Sequence, residues 1–331
     1  MFFLISLAPP RLTAGCPGES GSRLHAVQGT LPLPQPAANR LYPKVQYLPV
    51  ADFASILPFH AVEFTAMNSL RICLILAAWS GFAAADVKPR VLILSGANNH
   101  DWKQTTPAIK AALEETGRFE VDVEEDVIAM KPEAFAPYAV VVSNFNTYGG
   151  DAPATKQWPE ETRQAFLTHM SKGHGLVIVH AGSSVFYGWQ EFQNLACGTW
   201  KDGTNHGGIH VNQITFADTE SPITKGLKPF WIRDEFWQSI LVAPGAKPLA
   251  SVTPDPAFQG SGKPENILFT TESGGARGFA IFLGHDTSGM KNTAFRTLLQ
   301  RGTEWAATGK VTLPPATDWP STQEDAERMA R

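Results

Sequence analysis

Three histidines stand directly behind short apolar runs, and their placement suggests where chemistry would occur. His100 follows Val91-Leu-Ile-Leu-Ser95 by way of Gly96-Ala-Asn-Asn, His180 ends Gly175-Leu-Val-Ile-Val179, and His285 follows Gly278–Leu283 through Gly284. Such runs read as parallel strands buried on both faces. Ligands of open parallel sheets bind beyond the carboxyl ends of the strands, so the three imidazoles are expected in one crevice. Imidazole titrates near neutrality and can give or take a proton. Three of them can also hold a catalytic zinc. His100, His180 and His285 are therefore candidate acid–base residues and candidate ligands of a divalent metal. His206 and His210, in His206-Gly-Gly-Ile-His210, join the metal candidates only if the glycines fold as a turn. On a strand the pair would lie about 13 Å apart.

A second cluster is Phe230-Trp-Ile-Arg-Asp-Glu-Phe-Trp237, where Asp234 and Glu235 lie between tryptophans. Carboxylates among aromatic rings suit a sugar site: rings cover the apolar faces and acids accept hydroxyl protons. Glu235 is a candidate catalytic residue, and Asp234 and Trp237 candidate substrate-binding residues. The same segment can also be read as a packed strand flanked by an exposed Arg233–Asp234 pair. Asn99, Asp101, Trp102 and Asp286, which adjoin His100 and His285, complete the candidate substrate-binding set. Ser183 and Ser184 follow His180-Ala-Gly, but no G-x-S-x-G elbow is present, and no G-x-G-x-x-G follows the first apolar run.

The elements that must position these residues follow from periodicity. Helices are expected over Trp102–Thr116, from Pro159 to about Ser171, over Trp189–Ala196 and over Asn292–Thr308. Strands are expected at 90–95, 119–123, 139–142, 175–179 and 278–283, with looser ones at 209–216, 235–242, 249–253 and 267–271. Strands alternating with helices at this spacing predict an α/β, doubly wound parallel sheet. The expected plan is one domain over 86–310, with an inserted segment near 185–265, and a polar, mobile tail over 311–331.

Residues 1–66 hold nine of the 25 prolines and show no periodicity, reading as a disordered or non-native extension. Then Met67-Asn-Ser-Leu-Arg71, the uncharged run Ile72–Ala85 and the small residues Ala83-Ala84-Ala85 present the parts of a secretory signal peptide in order. The run is about 14 residues, where a bilayer span needs roughly 20. Translation is expected to start at Met67, and the mature protein to be periplasmic or extracellular and free of the membrane. Lys and Arg number 27 against 31 Asp and Glu, for a net charge of −4 without like-charge runs, which argues against a nucleic-acid partner. Cys16, Cys73 and Cys197 are too few for a disulfide framework or a cysteine zinc cluster.

Several separated motifs resemble the ThuA-like (trehalose utilisation) family. They are Val91-Leu-Ile-Leu-Ser-Gly-Ala-Asn-Asn-His-Asp-Trp102 with Thr106-Pro107, Gly175-Leu-Val-Ile-Val-His-Ala181, Ser221-Pro-Ile-Thr-Lys-Gly-Leu227, Asp234-Glu235, and Leu283-Gly-His-Asp286 with the helix that follows. The resemblance implies a flavodoxin-like fold of the class I glutamine amidotransferase-like kind. In those enzymes a cysteine ends a strand at a sharp turn; here His180 stands there, so thioester chemistry on glutamine is not expected. It also implies action on a small carbohydrate, through isomerisation, elimination or hydrolysis of disaccharides or their 3-keto forms. The competing reading is a non-catalytic carbohydrate-binding protein that stacks sugars on Trp189, Trp200, Trp231 and Trp237.

If the signal-peptide reading holds, N-terminal sequencing of the exported protein should find a chain beginning near Asp86. An exported product that keeps residues 1–66 would refute it.

Overall fold

The apolar runs form the middle of a nine-stranded sheet in the computed structural model, which describes residues 87–148, 156–201 and 203–331. The expected extension and signal peptide lie outside those residues, as do Gly149 and Gly150. The strands are β1 (Arg90–Leu94), β2 (Glu120–Glu124), β3 (Val140–Ser143), β4 (Gly175–Val179), β5 (Gly198–Thr199), β6 (Asn205–His206), β7 (His210–Phe216), β8 (Phe230–Asp234), β9 (Trp237–Gln238), β10 (Leu241–Val242), β11 (Lys247–Val252), β12 (Glu265–Ser273) and β13 (Ala276–Ile281). The helices are α1 (Trp102–Glu114), α2 (Glu160–Met170), α3 (Gln190–Leu195), α4 (Thr287–Met290), α5 (Thr293–Thr308) and α6 (Gln323–Met329).

The main sheet runs β2-β1-β3-β4-β13-β12-β11-β7-β8. Its first five strands are parallel, in the flavodoxin-like order. Every residue of β3 and β4 is buried, which is why these strands read as unbroken apolar runs. Helices cover both faces. A Cβ on Gly278 would strike Leu195 at the end of α3, while the ring of its neighbour Phe279 fills the space over Gly302 in α5. Adjacent strand residues point to opposite faces, so α3 and α5 lie on opposite sides of β13.

The expected insertion is not a separate lobe. Its strands β7, β8, β11 and β12 pair antiparallel onto β13 and extend the same sheet. The single strand expected over 235–242 is instead broken. β8 ends at Asp234, Ser239 takes a left-handed φ of 55°, and the Ser239 N–H is drawn off to Glu265. The high Phe and Trp content has a local explanation too. Phe135, Trp158, Phe166, Phe186, Trp189 and Phe192 pack ring on ring, with Trp158 and Phe186 centroids 4.5 Å apart.

The segment beyond residue 310, expected to be a mobile tail, is tied down. The fully buried Glu304 of α5 accepts hydrogen bonds from the Thr312 and Leu313 N–H groups at 2.7 and 3.0 Å and from Arg118 Nε at 3.1 Å. The chain then carries α6, which begins with a Thr322–Asp325 capping box and packs on β7 and β8. Among the described residues no helix is long and apolar enough to cross a membrane.

Burial works to raise the Glu304 pKa, and its donors from Thr312 and Leu313, with Arg118, more than offset it, so the carboxyl sits below its ordinary range. Its stabilising effect is complete above about pH 4.3 and disappears as the pH falls through the lower folded value. Glu304→Gln should cost about 1–3 kcal/mol at neutral pH and flatten the acid limb of the stability curve, as read by denaturant titration between pH 3 and 7.

Candidate functional site

His180 is presented by a strained turn. It leaves β4 with φ of 45° and opens a one-turn 3-10 helix over His180–Ser183. A non-glycine residue in this region is uncommon and stays there only when its surroundings fix it. The surroundings here are close: a Cβ on Gly182 would lie 1.9 Å from the Ser143 carbonyl oxygen, and Ser143 Oγ donates to the Gly182 carbonyl at 2.7 Å. His180 Nδ1 faces the Phe282 carbonyl at 3.5 Å, which directs Nε2 toward the crevice.

His100 is oriented by amides. Asn98 Oδ1 accepts from the His100 N–H at 2.9 Å, from His100 Nδ1 at 3.0 Å and from Asn146 Nδ2 at 2.9 Å. An amide oxygen can only accept, so Nδ1 carries the proton and Nε2 keeps its lone pair. Asn98 Nδ2 in turn donates to the Asn144 carbonyl, whose side chain donates to Thr105 and Thr106. Asn98, Asn144 and Asn146 were not singled out from sequence; their signal is polar residues following buried apolar strands.

Asp234 and Glu235, adjacent in sequence, take separate tasks. Buried Asp234 accepts from the N–H groups of Gly284 at 2.7 Å, His285 at 3.1 Å and Glu235 at 2.8 Å. It thereby fastens the end of β8 to the turn that carries His285, and it is not the exposed partner of Arg233. Arg233 instead reaches Ser288 and Asp286. Glu235 points into the crevice, with Oε1 accepting from Trp237 Nε1 at 2.9 Å.

The rings of His100, His180 and His285 converge, with centroids 4.7–5.3 Å apart. One ligand atom from each, with one from Glu235, lies within 4.8 Å of all the others, and this set could hold a metal ion. His180 Nε2 is 3.4 Å from Glu235 Oε1, and His285 Nδ1 is 3.3 Å from Oε2. The two contacts fall on different carboxylate oxygens, so Glu235 spans both imidazoles. Both nitrogens are buried and face Glu235 without reaching hydrogen-bond geometry, a placement that also suits ligation of a cation.

The charges at Glu235 and His100 suit one. Burial would raise the Glu235 pKa, but His180 and His285 outweigh it and hold the carboxyl well below its ordinary range. Burial, followed by charge on His180 and His285, pushes His100 down to about 3, so its imidazole is neutral at physiological pH. Burial also opposes the charged form of His285, but Glu235, with smaller effects from Asp234 and Asp286, raises its pKa overall.

A pocket of about 370 Å³ opens above this cluster, lined among others by Asn99, His100, Tyr148, Trp200, His206 and Trp237. His206 reaches Glu235 Oε2 at 3.1 Å from the half-exposed side. His210 does not join it: Gly207 packs under the Phe258 carbonyl, and His210 stacks on Phe258 with Nδ1 donating to the Gly208 carbonyl. Asp286 caps α4, and with Asp101 lines a neighbouring hollow on the far side of His100. Trp102 lies elsewhere, in a groove with Lys110 and Val123. Of the four tryptophans expected as sugar platforms, Trp200 and Trp237 line the pocket. Trp189 is buried in the aromatic cluster, and Trp231 lies on β8, where its N–H donates to the Pro320 carbonyl. Cys197 is fully buried, and burial pushes its thiol pKa up, so it offers no thiolate.

A flavodoxin-ordered sheet with a histidine–glutamate centre at the carboxyl edge of its parallel strands defines the class. The chain belongs to the ThuA family, described as trehalose utilisation, whose pattern matches residues 90–306. It is similar to a ThuA-like protein from Parabacteroides merdae, 32% identical over 71% of this chain and 95% of that one, with a TM-score of 0.61. A ThuA-like protein from Bacteroides uniformis is 17% identical, over 68% of this chain and 94% of that one, with a TM-score of 0.48. A glutamine amidotransferase from Thermotoga maritima is 12% identical, over 73% of this chain and 98% of that one, with a TM-score of 0.35. No curated protein matches the sequence.

Asp234→Ala should leave three buried N–H groups without an acceptor and lower stability by about 3 kcal/mol, measured by urea denaturation. A loss below about 0.5 kcal/mol would mean that this fastening is not structural.

Proposed function

We propose that this chain is a carbohydrate-active enzyme whose centre is a divalent cation of the zinc type held by His100, His180, His285 and Glu235. The observation that carries the reading is the convergence of those four side chains, with two buried imidazole nitrogens facing the Glu235 carboxylate at 3.3 and 3.4 Å. The family description points to sugar. The pocket chemistry agrees with it, since Trp200 can cover the apolar face of a ring while Asn99 meets its hydroxyls.

A bound divalent cation supplies Lewis-acid stabilisation of negative charge developing on a sugar oxygen. The chain's own residues do the remaining work. His100 is held in one tautomer by Asn98. Glu235 stays ionised and is kept in place by Trp237. His206, outside the ligand set and open to solvent, is left to carry a proton to or from the reacting sugar. A 3-keto sugar is the favoured substrate, because its carbonyl acidifies the neighbouring C–H and so permits proton removal and loss of the glycosidic oxygen. The signal-peptide order of residues 67–85 supports action outside the cytoplasm.

Elemental analysis of purified protein should find near-stoichiometric divalent metal, and His180→Gln should lose it. Turnover of 3-keto-disaccharides should fall by about 10²-fold or more in that variant, with the fold intact by circular dichroism. Metal-free protein with full activity would overturn the metal assignment. A folded His180→Gln variant that turns over normally would overturn the site.

A further inference from the structure

The candidate pocket does not stand alone. A hollow of about 600 Å³ lies on one side of it and another of about 860 Å³ on the other. Asn99 and His100 line both the central pocket and the first hollow, while Tyr148 and Trp200 line both the central pocket and the second. The three spaces therefore adjoin one another across these shared residues, with the histidine–glutamate cluster at the central one.

The two hollows, or arms, differ in chemistry. The first is polar, lined by Asp101, Gln104, Thr105, Asp286 and Thr287. The second is aromatic, lined by Tyr148, Tyr187 and Trp200 with Lys201 and Thr204. Tyr148 is half exposed, and its ring centroid lies 6.3 Å from that of Trp200, which in turn stands 4.9 Å from Trp237. An aromatic row thus continues outward from the centre. Amphipathic rings with polar tips suit ligands that have one apolar face and wet edges. Among the described residues neither lining holds a basic cluster of the sort that would select a phosphorylated ligand, and Lys201 is their one lysine or arginine.

Resting on the carbohydrate reading above, we propose that the cleft is built for a saccharide of at least three sugar units. Its extra ring would lie in the outer aromatic arm on Tyr148, Tyr187 and Trp200, within reach of Lys201. The polar arm would hold the hydroxyls at the other end of the same chain.

Calorimetric titration of the metal-loaded protein with maltose, maltotriose and maltotetraose, and with the matching cello-oligosaccharides, tests this. In at least one series, affinity should rise about tenfold from the disaccharide to the trisaccharide. Tyr148→Ala and Lys201→Ala, both surface changes, should shrink that ratio toward unity. Affinity that does not change with length, in a protein that binds the disaccharide, overturns the extended cleft and leaves the carbohydrate reading standing. A trisaccharide preference that survives both substitutions overturns the aromatic arm as the third subsite. Failure to bind any length in either series overturns this inference together with the carbohydrate reading beneath it.

Discussion

Asp234 accepts three backbone hydrogen bonds, from Gly284, His285 and its own neighbour Glu235, and the site depends on that knot. The parallel strands alone deliver His100, His180 and His285 to one edge of the sheet. They do not deliver Glu235, which comes from the antiparallel extension. The buried Asp234 carboxylate joins the two halves by holding the end of β8 against the turn behind β13. Once that junction is made, Glu235 can only project into the space between the imidazoles. Gly284, with φ of 90° and the Phe295 ring beneath it, lets the chain bend tightly enough for the junction to form.

Much of the frame was legible from sequence, because burial on both faces leaves a direct mark on strand composition. β1, β3 and β4 read as apolar runs for that reason, and the histidines at their ends were legible with them. The acid pair was visible too, but not its division of labour. Which of Asp234 and Glu235 faces the crevice depends on where β8 stops, and that depends on N–H donors about fifty residues away. The expected strand over 235–242 failed on the same point, since a period-two pattern says nothing of a ladder diverted by side chains. His206 and His210 show a further limit. Their spacing is neutral, and the close approach of Gly207 to the Phe258 carbonyl separates their roles.

Composition misled at the C-terminus. Residues 311–331 are polar enough to suggest a tail, yet Glu304 captures two of their N–H groups and α6 settles on β7 and β8. A single buried acceptor in a preceding helix can order such a segment, and no local propensity announces it. The asparagines behind the strands were overlooked for a similar reason. Asn98, Asn144 and Asn146 are ordinary loop residues by type, and only their mutual hydrogen bonds turn them into the support for His100.

The turn at His180 has a consequence for how this scaffold can change its chemistry. Its left-handed backbone lies where β4 gives way to a turn in which Gly182 leaves no room for a side chain beside Ser143 and Ser143 Oγ donates to the Gly182 carbonyl. A positive φ is tolerated best by short polar or imidazole side chains and worst by β-branched ones, so the position behaves as a socket for the former. A different functional group could be fitted there without rebuilding the sheet beneath it. What such an exchange must preserve is the ring of neighbours that gives the group its charge and its partner, and here that ring is assembled around nitrogen.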